Sequence, residues 1–129
     1  NSCKKENSTG CVINDDMQGI YPLIEKSDII ILATPIYWWS VTAQMKLLID
    51  RLYGMSFTCG RKKIALLMTY GGELPNSGPE TTEVLFLEIC SYLKMQAAGV
   101  MGVCTEKSEV KDNQKALDDA FDFGAGLID

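Results

Sequence analysis

Apolar and polar residues alternate along this chain in two distinct rhythms. Three short, nearly continuous apolar runs, over residues 28–33, 64–68 and 99–104, predict strands buried on both faces. Around them, apolar positions recur at helical spacing. Ile20, Leu23 and Ile24 follow an Asp15-Asp16 N-cap, with Pro22 dividing that helix or opening its second part. Val41, Met45, Leu48, Ile49 and Leu52 predict a helix from near Ser40 to Tyr53-Gly54. Leu85, Phe86, Ile89, Cys90 and Leu93 form the buried stripe of a helix opened by Pro79-Glu80. Ala116, Ala120, Phe121, Gly124 and Leu127 do the same for a last helix from about Lys111. Residues 1–15 and 56–61 carry no such period and are loop and turn. Strands separated by helices cannot be joined by hairpins, so the alternation predicts a parallel sheet with helices on both faces, a three-layer α/β/α arrangement.

Two loops then leave the same carboxyl edge of that sheet. The octet Ala33-Thr34-Pro35-Ile36-Tyr37-Trp38-Trp39-Ser40 is predicted as a strand-to-helix loop, and residues 69–78 as a long glycine-rich one. In open α/β sheets ligands bind at this edge. One loop offers aromatic surface and the other offers backbone N–H groups around Gly71 and Gly72. That combination suits a planar, hydrogen-bonding ring. The alternative is that the tryptophans serve simple packing or a subunit contact.

Composition narrows the chemistry. A chain of 129 residues is one domain, 1–129, and a net charge of −5 argues against a nucleic-acid partner, which needs a basic face. No apolar run approaches the roughly 18–20 residues of a membrane span. Five cysteines, an odd number, disfavour a disulfide framework and point to a reducing cytoplasm. The absence of histidine removes Ser-His and Cys-His nucleophiles and most zinc chemistry. No side chain is singled out as a catalytic acid or base. Asp118, Asp119 and Asp122 form a wet helix face and no metal site is expected. Met45, Met68, Cys90 and Cys104 are assigned to the core, Cys59 to a turn, and Asp50-Arg51 to a solvated or lightly paired helix end.

The run from Thr34 through Lys46, with Leu47-Leu48-Ile49-Asp50-Arg51-Leu52 after it, resembles the signature of the NADPH-dependent FMN reductase family, flavodoxin-like proteins that include the iron-sulfur flavoproteins. Tyr70-Gly71-Gly72 is similar to that family's second flavin-contacting loop. The resemblance covers essentially the whole chain. It implies a flavodoxin-like fold and FMN, with the ring held by Thr34, Pro35, Ile36, Tyr37, Trp38 and Trp39 on one side and by Thr69, Tyr70, Gly71, Gly72 and Glu73 on the other. It implies NAD(P)H as electron donor, a flavin, quinone or redox protein as acceptor, and a homo-oligomer.

The departures from the family pattern matter too. The family opens with a strand, a phosphate-binding loop, a helix and a second strand, and none of these is found in the sequence. A sheet of order 2-1-3-4-5 makes residues 28–33 the third strand, which belongs beside the first. The expectation is therefore a flavodoxin-like domain truncated at its amino terminus, its carboxyl-terminal three-strand portion. Cys3 and Cys11 resemble the tail of the compact cysteine motif of iron-sulfur flavoproteins, but the upstream pair is absent, and two thiolates fall short of the four that such a cluster needs. Two other readings stay open: an iron-sulfur electron carrier, and a non-catalytic chain that does not retain FMN.

Overall fold

The computed structural model describes residues 11–55 and 60–128, so Cys3, Cys59 and most of the predicted amino-terminal loop lie outside the described residues. Within them the chain runs α1 (Met17–Lys26), β1 (Ile29–Tyr37), β2 (Ser40–Val41), α2 (Ala43–Leu52), β3 (Lys63–Tyr70), α3 (Ser77–Leu93), β4 (Gln96–Cys104) and α4 (Gln114–Ile128). Single turns of 3-10 helix follow α2 and precede α4.

β3 is the centre of the sheet, flanked by β1 and β4, both parallel to it. Its residues explain why. Ile64, Ala65 and Leu66 are almost wholly buried, so this strand is apolar on both faces and needs cover on both. One cover is the main core, where Leu32, Ile64, Leu66 and Met68 meet Ile24 of α1, Leu52 at the end of α2, and Phe86, Cys90 and Leu93 of α3. The other is α4, which lies against β4 and buries Ala116 and Leu127. The three-layer α/β/α prediction holds.

The sheet is mixed rather than purely parallel, which corrects the sequence expectation. β2 pairs antiparallel with the end of β1, Ile36 opposite Val41 and Tyr37 opposite Ser40. The predicted loop over the aromatic octet is corrected with it: β1 continues through Tyr37, and only Trp38 and Trp39 turn. β-Branched and aromatic side chains at Thr34, Ile36 and Tyr37 favour extended backbone. Pro35 is tolerated because β1, apart from its last two residues, has no second partner strand among the described residues. That edge position also leaves β1 covered on one face: Leu32 and Thr34 are buried, while Ile31, pointing the other way, is half exposed.

Helix boundaries differ from the prediction by a few residues, each for a local reason. α1 passes through Pro22 unbroken. α3 starts at Ser77 because Asn76 caps it, placing Pro79 in the first turn, where a missing N–H costs nothing. It ends on Lys94 in the left-handed conformation. At the amino end of the sheet, Lys62 Nζ donates to the carbonyls of Glu25 and Ser27 at 2.7 Å each, holding the end of α1 against β3.

Candidate flavin-ring site at the carboxyl edge of the sheet

Trp38 and Trp39 close a two-residue hairpin with φ of +50° and +61°. Left-handed backbone matches the twist of the flanking strands, but in a residue with a Cβ it costs about 1–2 kcal/mol. Two consecutive tryptophans in that conformation is a departure from the glycine and asparagine such turns favour. The turn is held from its base. Thr34 Oγ1 donates to the Pro35 carbonyl (2.8 Å) and accepts from the Thr42 N–H (3.2 Å). Thr42 Oγ1 in turn accepts from Met45 N–H and caps α2. The indoles so presented are 5.8 Å apart at an interplanar angle of 51°, and Trp38 is 89% exposed. Exposed aromatic surface on a braced turn is the kind of feature that binding faces use.

The second wall is the loop after β3. Its first two carbonyls, and that of Tyr70 at the end of β3, are engaged. Tyr70 O accepts from the Thr105 N–H (2.8 Å) and hydroxyl (3.1 Å). Asn76 Nδ2 donates to Gly71 O (2.8 Å) and Gly72 O (3.2 Å), while its Oδ1 accepts from Gly78 N–H (2.9 Å). The Cys104 thiol also donates to Gly72 O. Gly72 has φ of +78°, a conformation glycine adopts freely. The Gly72 N–H donates to Glu106 Oε2 at 2.8 Å, and Lys107 is ion-paired with Glu73.

Between the two walls lies a hollow of about 320 Å³ lined by Ile36, Trp38, Trp39, Tyr70, Gly71, Asn76 and Gly78. The first turn of α3 forms its floor at Gly78, where a Cβ would stand 3.2 Å from Ile36 Cγ2, so the helix meets the hairpin closely because that residue is glycine. Of the residues singled out from sequence, Ile36, Trp38, Trp39, Tyr70 and Gly71 come together here. Thr34, Pro35 and Thr69 instead line a separate apolar cavity of about 360 Å³ between the sheet and α4, beside Leu67, Met101 and Val103. Tyr37, Gly72 and Glu73 border the walls without lining either space. Burial pushes the Tyr70 hydroxyl above its ordinary pKa, so it stays neutral.

Sequence reasoning passed over Asn76, Gly78 and Glu106. The signal for the first two was present, since Asn two residues ahead of a glycine and three ahead of Pro79 is a helix-start pattern. Nothing in the sequence separates Glu106 from other surface carboxylates.

A polar cluster lies outside the hollow's lining. Arg51, expected as a lightly paired helix end, is ion-paired with Asp15, and its Nη2 donates to Asp15 Oδ1 (3.0 Å) and to Cys11 Sγ (3.3 Å). Tyr21 Oη donates to the Arg51 carbonyl. Backbone hydrogen bonding at Ile13, with Tyr21 and Arg51 adding to it, lowers the Cys11 thiol pKa, and the Arg51 guanidinium lowers that of Asp15. Asp50 pairs with Lys46 at 2.5 Å with both side chains about half exposed, in keeping with the solvated or lightly paired helix end read for Asp50-Arg51. Among the described residues no group of three or more His, Cys, Asp or Glu side chains could hold a metal ion.

The family model for NADPH-dependent FMN reductase matches residues 1–109. The chain belongs to that family. Its relatives include an iron-sulfur flavoprotein of Archaeoglobus fulgidus, 45% identical over 64 residues that make up 48% of this chain and 29% of the relative. Another from Methanosarcina thermophila is 40% identical over 77 residues, 56% of this chain and 38% of the relative. The matched stretches thus span less than half the length of these relatives. Among solved structures, the Trp repressor binding protein from Bacillus subtilis superposes with a TM-score of 0.68 at 22% identity, covering 89% of this chain and 70% of that one. General stress protein 14 of Treponema denticola, solved in complex with FMN, gives 0.66 at 21% identity, covering 88% and 72%. At these identities the likeness speaks to the fold, which is flavodoxin-like.

Proposed function

We propose that this chain binds FMN by its ring in the hollow between the Trp38-Trp39 hairpin and the Gly71-Gly72 loop, and acts as an oxidoreductase. The donor in this reading is NADPH or NADH, and the acceptor a flavin, a quinone or a redox protein. The observation that carries it is the meeting of an exposed aromatic hairpin with a peptide-lined loop at the carboxyl edge of a flavodoxin-like sheet. Family membership supports it, as does the FMN complex formed by a protein of the same fold.

The residues present fit a flavin ring. Indole faces on one side offer stacking area, and on the other the bare backbone of Gly71 lets a ring edge approach closely. FMN, when bound, supplies the hydride and single-electron chemistry. The protein's part is to hold and shield. Trp38 and Trp39 cover the ring and exclude water; Tyr70 and Gly71 form the opposing wall; Asn76 fixes the shape of that wall. No acid or base on the chain is required. We place the protein in the cytoplasm, as a homo-oligomer whose subunit contact covers the aromatic hairpin.

The test is a visible absorption spectrum of the purified protein, followed by titration with FMN and an NADPH oxidation assay. A two-banded flavin envelope, or quenching of FMN fluorescence on mixing that weakens in Trp38→Ala, is expected. A colourless protein that leaves FMN fluorescence unchanged sinks the proposal and favours the non-catalytic reading.

One observation favours a second reading, an iron-sulfur electron carrier: the relatives at 33–45% identity are iron-sulfur flavoproteins. A four-iron cluster takes four thiolates. Of the three described cysteines, Cys11 is partly exposed and bonded to Arg51, Cys90 is in the core, and Cys104 bonds the glycine loop. The described residues therefore do not fit a cluster. Iron and acid-labile sulfide in the isolated protein, in fourfold equivalence to chain, would reverse that judgement.

A further inference from the structure

We propose that Glu106 is a positioning residue for the flavin, accepting a hydrogen bond from the imide N–H on the ring's polar edge. The proposal rests on the FMN reading above. Three observations lead to it.

First, the Glu106 carboxylate, at the border of the hollow and not in its lining, is fixed to the loop that forms one wall. Its Oε2 accepts the Gly72 N–H at 2.8 Å and stands 3.7 Å from where a Cβ on Gly71 would lie, and Gly71 lines the hollow. Second, the segment carrying it is tied to the same loop on either side. Thr105 donates twice to Tyr70 O before it, and Lys107 pairs with Glu73 after it. The carboxylate thus sits in a bend two residues beyond Cys104, the last β4 residue in register with Tyr70, and that bend is tied to the glycine loop on both sides. Third, the group keeps acceptor capacity. A carboxylate has two oxygens and about four lone-pair sites. One oxygen is engaged by Gly72, and Oε1 has no hydrogen-bond partner among the described residues.

A pinned carboxylate with a spare oxygen reads a donor. The isoalloxazine edge carries one N–H between two carbonyls, so an anionic acceptor there rewards ring systems that possess that N–H. Hydrogen bonds to charged groups are worth more than neutral ones, though at this exposed place part of the gain is lost to water. The expected preference is about five- to tenfold in affinity.

The experiment titrates the whole chain with FMN and with N3-methyl FMN, reading quenched flavin fluorescence, for the wild type, Glu106→Gln and Glu106→Leu. The wild type should prefer FMN by about five- to tenfold. Glu106→Gln, which offers one carbonyl oxygen where the carboxylate offers two, should keep only part of that preference. Glu106→Leu, which keeps bulk without an acceptor, should lose it, and so separates hydrogen bonding from steric exclusion of the methyl group. A wild type that binds both flavins equally, or a leucine variant that discriminates as well as the wild type, overturns the assignment while leaving FMN binding intact. Failure of the wild type to bind either flavin removes the FMN reading, and this inference with it. Because Glu106 is exposed, both variants should retain the wild-type far-ultraviolet circular dichroism.

Discussion

Removing the Asn76 side chain should loosen one wall of the hollow and the start of α3 together, by an amount that can be divided between them. Asn76 Oδ1 caps the helix through Gly78 N–H, and loss of such a cap costs about 1 kcal/mol. Its Nδ2 holds Gly71 O at 2.8 Å and Gly72 O at 3.2 Å. These two bonds are partly exposed, and Gly72 O keeps the Cys104 thiol as a partner, so together they contribute about 1 kcal/mol. Asn76→Ala should therefore lose about 2 kcal/mol, roughly 6–10 °C in Tm for a chain of this size. Asn76→Ser separates the parts. Serine is as good an N-cap as asparagine but too short to reach the two carbonyls, so it should lose about half as much stability as alanine. Its flavin affinity should nevertheless fall as far as that of Asn76→Ala, because the loop is released in both. Urea unfolding followed by circular dichroism gives the stabilities, and fluorescence titration gives the affinities. A serine variant that binds flavin as the wild type does, or an alanine variant within about 0.5 kcal/mol of wild type, refutes the account of Asn76 as both cap and staple.

Further outcomes follow from the same geometry. Trp38→Gly should leave stability within about 1 kcal/mol of wild type, since the left-handed strain it relieves offsets the extra backbone entropy of glycine; it should weaken FMN at least about tenfold if the indole covers the ring. Asp15 has its pKa lowered chiefly by the Arg51 hydrogen bond, so its contribution is complete above the ordinary carboxylate range and is lost as pH falls through the lowered value. Arg51→Met should flatten that acid limb in urea midpoints taken from pH 5 to pH 2. The same variant should raise the pH midpoint of Cys11 alkylation only in part, because the Ile13 backbone contribution remains. Burial pushes the Cys90 thiol up to about 11, so Cys90 should react with iodoacetamide no faster than the protein unfolds, as mass-spectrometric labelling would show.

What was legible in the sequence was whatever burial dictates locally. Ile64-Ala65-Leu66-Leu67-Met68 is apolar on both faces and was bound to be a central strand. The helical stripes of α2 and α3 fixed the direction of every crossover. Illegible features depended on pairings that no local propensity identifies. Proline and two tryptophans after Ala33 looked like a loop because no local rule places consecutive tryptophans in left-handed turns; the pairing of Ile36 with Val41 and the Thr34 bracket to Thr42 override that preference. Thr34, Pro35 and Thr69 were grouped with the aromatic residues through the family resemblance, but all three border the cavity on the α4 side instead, where Pro35 and Thr69, opposite each other in the register, share a face. Glu106 and Arg51 meet partners 34 to 40 residues away.

The two walls solve the same problem by opposite means. Pro35 lies opposite Thr69, and Tyr70 opposite Cys104, so the ends of β1, β3 and β4 emerge at one level and their loops meet. The hairpin wall keeps two indoles outward at the cost of unfavourable φ values. The glycine wall has favourable φ values and is instead held by Asn76, Thr105, Cys104 and Glu106. In both, the conformational cost is met when the chain folds, which leaves less ordering to be done when a ring binds. That coupling has a sign. A ligand that selects the ordered walls must stabilise the fold by RT ln(1 + [L]/Kd), so the Tm should climb with FMN concentration in the wild type and less steeply in Asn76→Ser, whose walls must be ordered again by the ligand itself.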